Sequence, residues 1–181
     1  MRSNAHLVAM VLVAPAIFGA SGCGKVVEKI QQKAIEKAVE HGVESQSGGK
    51  VKLDLNDQTA KVVTNDGKTQ ATWGQGASVP ADFPKEVPIY PGSTIFSSVS
   101  DNTATAKHTV MLKTPDASAK VLSYYKDELK GFRVEQEVNS GTTHMMRFVD
   151  KQKSKLAVQI LASEEAADQA TNVIVYTEAV Q

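Results

Sequence analysis

Residues 107–131, KHTVMLKTPDASAKVLSYYKDELKG, change period midway, and that change sets the expected fold class. In Lys107 to Lys113, Val110 and Leu112 alternate with polar neighbours, the period-two pattern of a strand with one buried face. Thr114-Pro115-Asp116 then reads as a helix start, with Thr114 as N-cap and Pro115 at the first helical position, where its missing N–H costs no hydrogen bond. Val121, Leu122, Tyr125 and Leu129 recur at helical spacing, and Gly131 ends the helix. Outward from this stretch, Thr94 to Ser100 precedes it as a strand, and Phe132 to Val138, Thr142 to Val149, Lys155 to Ala162 and Asn172 to Thr177 follow as strands. Asn139-Ser140-Gly141 and Asp150 to Ser154 supply hairpin turns, and Ser163 to Ala170 reads as a longer acidic link. The expected architecture of residues 93–181 is therefore α+β, one helix packed on a mostly antiparallel sheet in the order ββαββββ.

Further from the centre the composition changes three times. Residues 77–92 contain Pro80, Pro84, Pro88 and Pro91 and lack any period, so they read as an extended, stiff connector. In residues 50–76, Val51, Leu53 and Leu55 alternate with polar residues, and Asn65-Asp66-Gly67-Lys68 joins two further short runs as a hairpin. This small β-meander has few large apolar residues and needs another surface to lean on, with Trp73 as the expected contact. Residues 23–49 begin with strong helix formers that place Val26, Val27, Ile30, Ala34, Ile35 and Ala38 on one broad side, as in an amphipathic helix. Lys25, Lys29, Lys33 and Lys37 run along the edge of that side, where they suit an anionic membrane surface or a solvated face. The helix is expected to act as a spacer.

Residues 1–22 begin with Arg2, continue through an apolar run from Leu7 to Phe18, and close on small residues before the only cysteine. The run, about 12 residues, falls short of the ~20 that cross a bilayer as a helix, and the order of parts is that of a secretory signal peptide. Ala20-Ser21-Gly22-Cys23 resembles the lipobox of bacterial lipoproteins, with Ala20 where the family more often has Leu. The resemblance implies acylation of Cys23 and cleavage before it, which leaves a membrane-anchored chain. Ala20-Ser21-Gly22 also fits an ordinary signal-peptidase site, which would leave Cys23 as a free terminal thiol. With Gly24 after the cysteine, resemblance to sorted lipoproteins implies the outer membrane facing the periplasm if the source has two membranes, and otherwise the outer face of the plasma membrane. The segment DFPKEVPIYPG, residues 82–92, together with Thr114-Pro115-Asp116 and Tyr124-Tyr125, resembles small envelope lipoproteins of unknown function. That resemblance implies an α+β envelope domain and no activity.

The chain balances 20 Lys and Arg against 20 Asp and Glu, and loss of residues 1–22 removes one Arg, so no global field draws it to nucleic acid. No nucleophile elbow, zinc-helix motif, P-loop or dinucleotide fingerprint is present, and the acids are interspersed with lysines as on a solvated surface. No catalytic residue, cofactor or enzyme activity is expected. The soft-ligand candidates are His108, His144 and Met146, which alternation places on one side of their strands, the set that a Cu(I) site would use. The favoured function is that of a membrane-anchored envelope lipoprotein with a non-catalytic binding or structural role and an envelope protein as partner. A periplasmic binder of soft metal or a small ligand is the alternative. Palmitate should label the expressed protein and should fail to label Cys23→Ser; an unmodified N-terminal Cys23 in the mature chain would refute lipidation.

Overall fold

The computed structural model describes residues 36–38, 40–42, 44–45, 49–56, 58–150, 155–167 and 169–180. Cys23, Lys25, Lys29 and Lys33 lie outside them. Nine strands form one antiparallel sheet: β1 (Val51–Asn56), β2 (Thr59–Thr64), β3 (Thr69–Gly74), β4 (Thr94–Asp101), β5 (Lys107–Thr114), β6 (Phe132–Ser140), β7 (Thr143–Asp150), β8 (Leu156–Glu165) and β9 (Ala170–Ala179). One helix, α1 (Ser118–Glu128), lies between β5 and β6. The strand order in space is β1-β2-β3-β4-β5-β9-β8-β7-β6.

This corrects the α+β expectation of one helix on a ββαββββ sheet preceded by a separate meander. Of the described residues 53% are strand and 14% helix, so the sheet and not a helix layer dominates. The meander is part of that sheet, because β3 pairs with β4 through Gln70↔Ser100, Thr72↔Ser98 and Trp73↔Ser97. Alternation marks which residues of a strand share a face but says nothing about which strand lies alongside, and β3 meets β4 across the whole proline-rich connector. Turn chemistry at the meander follows the sequence: Gly67 takes φ 69 in the β2–β3 turn. Gly74, at φ 97, passes so close to the Gln58 carbonyl that a Cβ would collide with its oxygen.

The chain reaches β6 by crossing the sheet. From β5 to β6 there are four strand spacings, roughly 19 Å, and the 11 residues of α1 span about 16 Å of that on the way. The helix packs on β7 and β8. Its buried residues Ser118, Val121, Leu122 and Tyr125 follow helical spacing, and the last three share one core with Val110 and Leu112 of β5, Met146 and Phe148 of β7, Val158 and Ile160 of β8, and Val173 and Val175 of β9. The connector completes the cover: Phe83, Val87 and Tyr90 are buried in the same cluster. It behaves as a strap across the inner face. Helix α1 begins at Ser118, with Ala117 as its N-cap, three residues beyond the expected Thr114. The Thr114 hydroxyl instead accepts from the Asp116 amide in a local turn, while Asp116 takes the Tyr90 hydroxyl (2.7 Å) and Lys120 (2.8 Å).

The edges are handled differently. Residues 36–38, 40–42 and 44–45 are helical, and Glu40 Oε1 accepts the outward N–H of Leu55 on β1 at 2.7 Å. At this end the expected spacer is joined to the sheet and occupies part of an edge that would otherwise be open. The far edge, β6, is exposed along most of its length and carries a bulge between Val134 and Gln136, with Arg133, Glu135 and Glu137 as charged guards. On the outer face one register row crosses the nine strands as Leu55, Ala60, Trp73, Ser97, Met111, Ile174, Leu161, Met145 and Val138.

Tyr125 is fully buried and its hydroxyl has no well-formed hydrogen bond. Tyr125→Phe should therefore leave stability within about 0.5 kcal/mol or raise it, whereas Tyr125→Ala should cost ~3–5 kcal/mol, both read by chemical denaturation.

Candidate functional site

A cleft opens where β4 begins, β5 ends and the β8–β9 hairpin turns. Phe96 sits at a register shift in β4 between Ile95 and Ser97, and this irregularity leaves its ring 39% exposed. Across from it, Lys113 and Thr114 end β5 at Pro115, and Gln169 holds the hairpin tip with φ 48, an unusual conformation for a residue with a Cβ. Together with Thr94, Ala170 and Asn172 these residues line an open cleft of about 640 Å³, a volume in the range of small-molecule sites. The walls are largely apolar. Polar groups gather on one side, where Glu165 Oε2 accepts from Asn172 (3.0 Å) and lies 3.8 Å from Lys113 Nζ.

A second cleft of about 320 Å³ shares Pro115, Gln169 and Ala170 and reaches the start of α1. There Glu164 Oε1 accepts from both the Ser118 amide (3.0 Å) and the Ser118 hydroxyl (2.7 Å). Those bonds hold the Glu164 carboxyl below its usual range, the side-chain bond first. A carboxylate from β8 thus supplies the helix cap that the local sequence lacks.

The structure separates the residues picked out as soft-metal ligands. His108, His144 and Met146 do share the inner face, since register runs His108↔Thr177, Thr177↔Val158 and Val158↔Phe148. Yet His144 lies three strands across and four residues along from His108, roughly 19 Å away. His144 and Met146 line a 290 Å³ cleft between α1 and the β6–β7 edge, with Leu122, Lys126, Glu137 and Asn139. His144 Nδ1 is 2.8 Å from Asn139 Oδ1, and Met146 is buried in the core. Among the described residues no three His, Cys, Asp or Glu side chains are grouped to hold a metal. Lys37 is exposed on the N-terminal helical stretch.

His108 belongs to a different arrangement, one that alternation did not reveal. It is 3% exposed; Nδ1 lies 3.1 Å from the Thr177 hydroxyl and Nε2 3.3 Å from Asp82 Oδ2, within ion-pair range but off the line of a good hydrogen bond. Asp82 Oδ2 also accepts from Ser100 (2.8 Å) and Asn102 (2.6 Å), and Phe83 meets the imidazole edge-on at 5.8 Å. Asp82 and Phe83 thus fasten the strap to the sheet. The sequence signal was the Asp-Phe-Pro start of the segment 82–92, but the polar partners of Asp82 are Ser100 of β4, Asn102 just after it and His108 of β5.

Residues 94–170 match the START domain-like family model. The match runs from β4 to the first residue of β9 and covers less than half of the 181-residue chain. It holds every residue of the 640 Å³ cleft except Asn172, and leaves out the meander and strap. A START-like fold implies a helix-grip arrangement, in which a sheet embraces a helix, and such domains typically bind ligands. No curated protein and no solved structure matches the chain.

Partial burial opposes the charge on Asp82, but hydrogen bonds from Asn102 and Ser100, with the His108 imidazole close by, outweigh it and pull its pKa from 3.8 to about 2. A depressed carboxyl pKa contributes stability that is complete above the ordinary value and lost as pH falls through the folded one. The melting temperature of the wild type should therefore exceed that of Asp82→Ala above pH about 4, and the two should converge as pH approaches 2. A gap that stayed constant over that window would show that Asp82 acts by packing alone.

Proposed function

We propose that this chain is a non-catalytic binding module of the cell envelope, tethered to a membrane through acylated Cys23, which holds a small ligand in the cleft between Phe96, Lys113 and Gln169. The observation that carries this reading is the largely apolar 640 Å³ cleft inside the START-like stretch. Its chemistry favours an amphipathic guest. Phe96 and Pro115 offer apolar surface, while Lys113, Gln169 and Asn172 present polar groups at the rim. The polar groups of the cleft include no nucleophile paired with a base, so its residues suit holding a molecule rather than transforming it. The small-ligand reading gains from this geometry and the copper reading does not, because His108 stands far from His144 and Met146.

The tether and the module fit together. A sheet domain of this kind has no need of an anchor for folding, and the lipobox-like Ala20-Ser21-Gly22-Cys23 would keep its cleft near the bilayer, where amphipathic molecules concentrate. Lys25, Lys29, Lys33 and Lys37 would then lie nearest the headgroups, and Gly24, by resemblance to sorted lipoproteins, supports placement in the outer membrane if the source has two membranes. The probe that tests the cleft is 1-anilinonaphthalene-8-sulfonate, whose rings and sulfonate match Phe96 and Lys113. Its fluorescence should rise on binding the folded protein, Phe96→Asp should weaken binding at least tenfold, and Lys113→Met should weaken it less. Equal binding by all three proteins would place the probe elsewhere and refute the reading.

A further inference from the structure

Under the strap, away from the cleft already described, the inner face of the sheet changes character. On β5, β7, β8 and β9 that face is mostly apolar core, with His108 and Thr177 among its exceptions, but on β2, β3 and β4 it presents Lys61, Thr72 and Ser98 in one register row and Gln70 in the next. These four side chains line a cleft of about 230 Å³ roofed by residues 78–81 of the strap. Ser98 is only 4% exposed. Among the described residues, none of the four is hydrogen-bonded or ion-paired through its side chain. Side-chain groups that have no partner within the protein and open onto a cleft are met by solvent or by a guest that offers matching hydrogen bonds.

We propose that this cleft binds a sugar acid, a monosaccharide-sized polyol bearing one carboxylate. Three neutral hydrogen-bonding groups, two hydroxyls and an amide, each able to donate and accept, match the hydroxyls of a polyol. Val79 and Pro80 of the roof offer apolar surface to its C–H face. The charge layout orients it. At the Ser100 end stands Asp82, whose carboxylate is already engaged by Ser100, Asn102 and His108 and repels a second anion. Two strands across and two residues along from Ser100, roughly 12 Å, Lys61 stands at the other end and takes the carboxylate. Asp54, opposite Lys61 in register on β1, softens the field there, so the hydroxyl contacts supply most of the affinity and the lysine the direction.

The full chain, ¹⁵N-labelled, is titrated with D-glucuronate, D-glucose and acetate while amide resonances are followed. Glucuronate should give saturable shifts at residues 70–72, at Ser78, Val79 and Ala81, and at residues 98–100, glucose should bind several-fold more weakly, and acetate should give none. Ser98→Val should weaken glucuronate roughly tenfold, the loss of one hydrogen bond. Lys61→Met should bring glucuronate down to the level of glucose. Thr72→Val is the second variant if Ser98→Val does not fold, with melting temperature as the check. The proposal is overturned if neither sugar gives saturable shifts, if the shifts map to Phe96 and Lys113 instead, if glucose binds as well as glucuronate, or if the folded valine variants bind unchanged.

Discussion

The pairing of β9 with both β5 and β8 is the constraint on which the rest of the structure depends. Its eight matched positions with β5, from Lys107↔Glu178 to Thr114↔Thr171, join the end of the chain to the strand before α1. Its ten with β8 carry that junction into the β6–β7–β8 hairpins. Without this central strand the sheet would divide into β1–β5 and β6–β8, each holding only part of the apolar inner face. With it, Val173 and Val175 complete an inner face broad enough for a helix and a strap to cover side by side.

The division of that cover explains where the clefts lie. Helix α1 reaches β7 and β8, and the strap lies over the inner face toward the other end of the sheet, each leaving gaps at its margins. One gap lies at the start of α1, where Pro115 forces a turn before the helix and Glu164 caps it from β8. Another lies under residues 78–81, where the strap passes over serine, threonine and glutamine rather than over core. The strap can cross polar ground because Asp82 meets its hydrogen-bonding needs from Ser100 and Asn102. It returns to apolar ground at Val87 and Tyr90, where the Tyr90 hydroxyl reaches Asp116, and burial followed by that hydrogen bond pushes the phenol up to about 12.

Charged groups outside these clefts serve the sheet. Arg147 on the outer face lies 3.0 Å from both Glu135 of β6 and Glu178 of β9, and Tyr176 donates to the same Glu178. Such a half-exposed network fixes the positions of neighbouring strands more than it adds stability. It also places charge beside the apolar row on the outer face, which discourages unspecific association.

The sequence by itself determined what depends on neighbours in the chain. Alternation at Val110 and Leu112 located β5 and its buried face, Asp66-Gly67 located a turn that needs positive φ, and Val121, Leu122 and Tyr125 located the buried side of α1. It also singled out His144 and Met146, which do share a cleft, because strand period decides which side chains lie on one face. Only the tertiary structure decided what depends on distant segments. The meander joined the main sheet because β3 found β4, and periodicity is the same whichever strand lies alongside. His108 became a fastening for the strap rather than a partner of His144, because the two intervening strands, β9 and β8, set their separation. The cap of α1 came from Glu164, 46 residues away, and no rule of local spacing could assign it. The cleft at Phe96, Lys113 and Gln169 draws on three separate stretches, each ordinary by itself, and exists only because β9 brings the hairpin tip beside the end of β5.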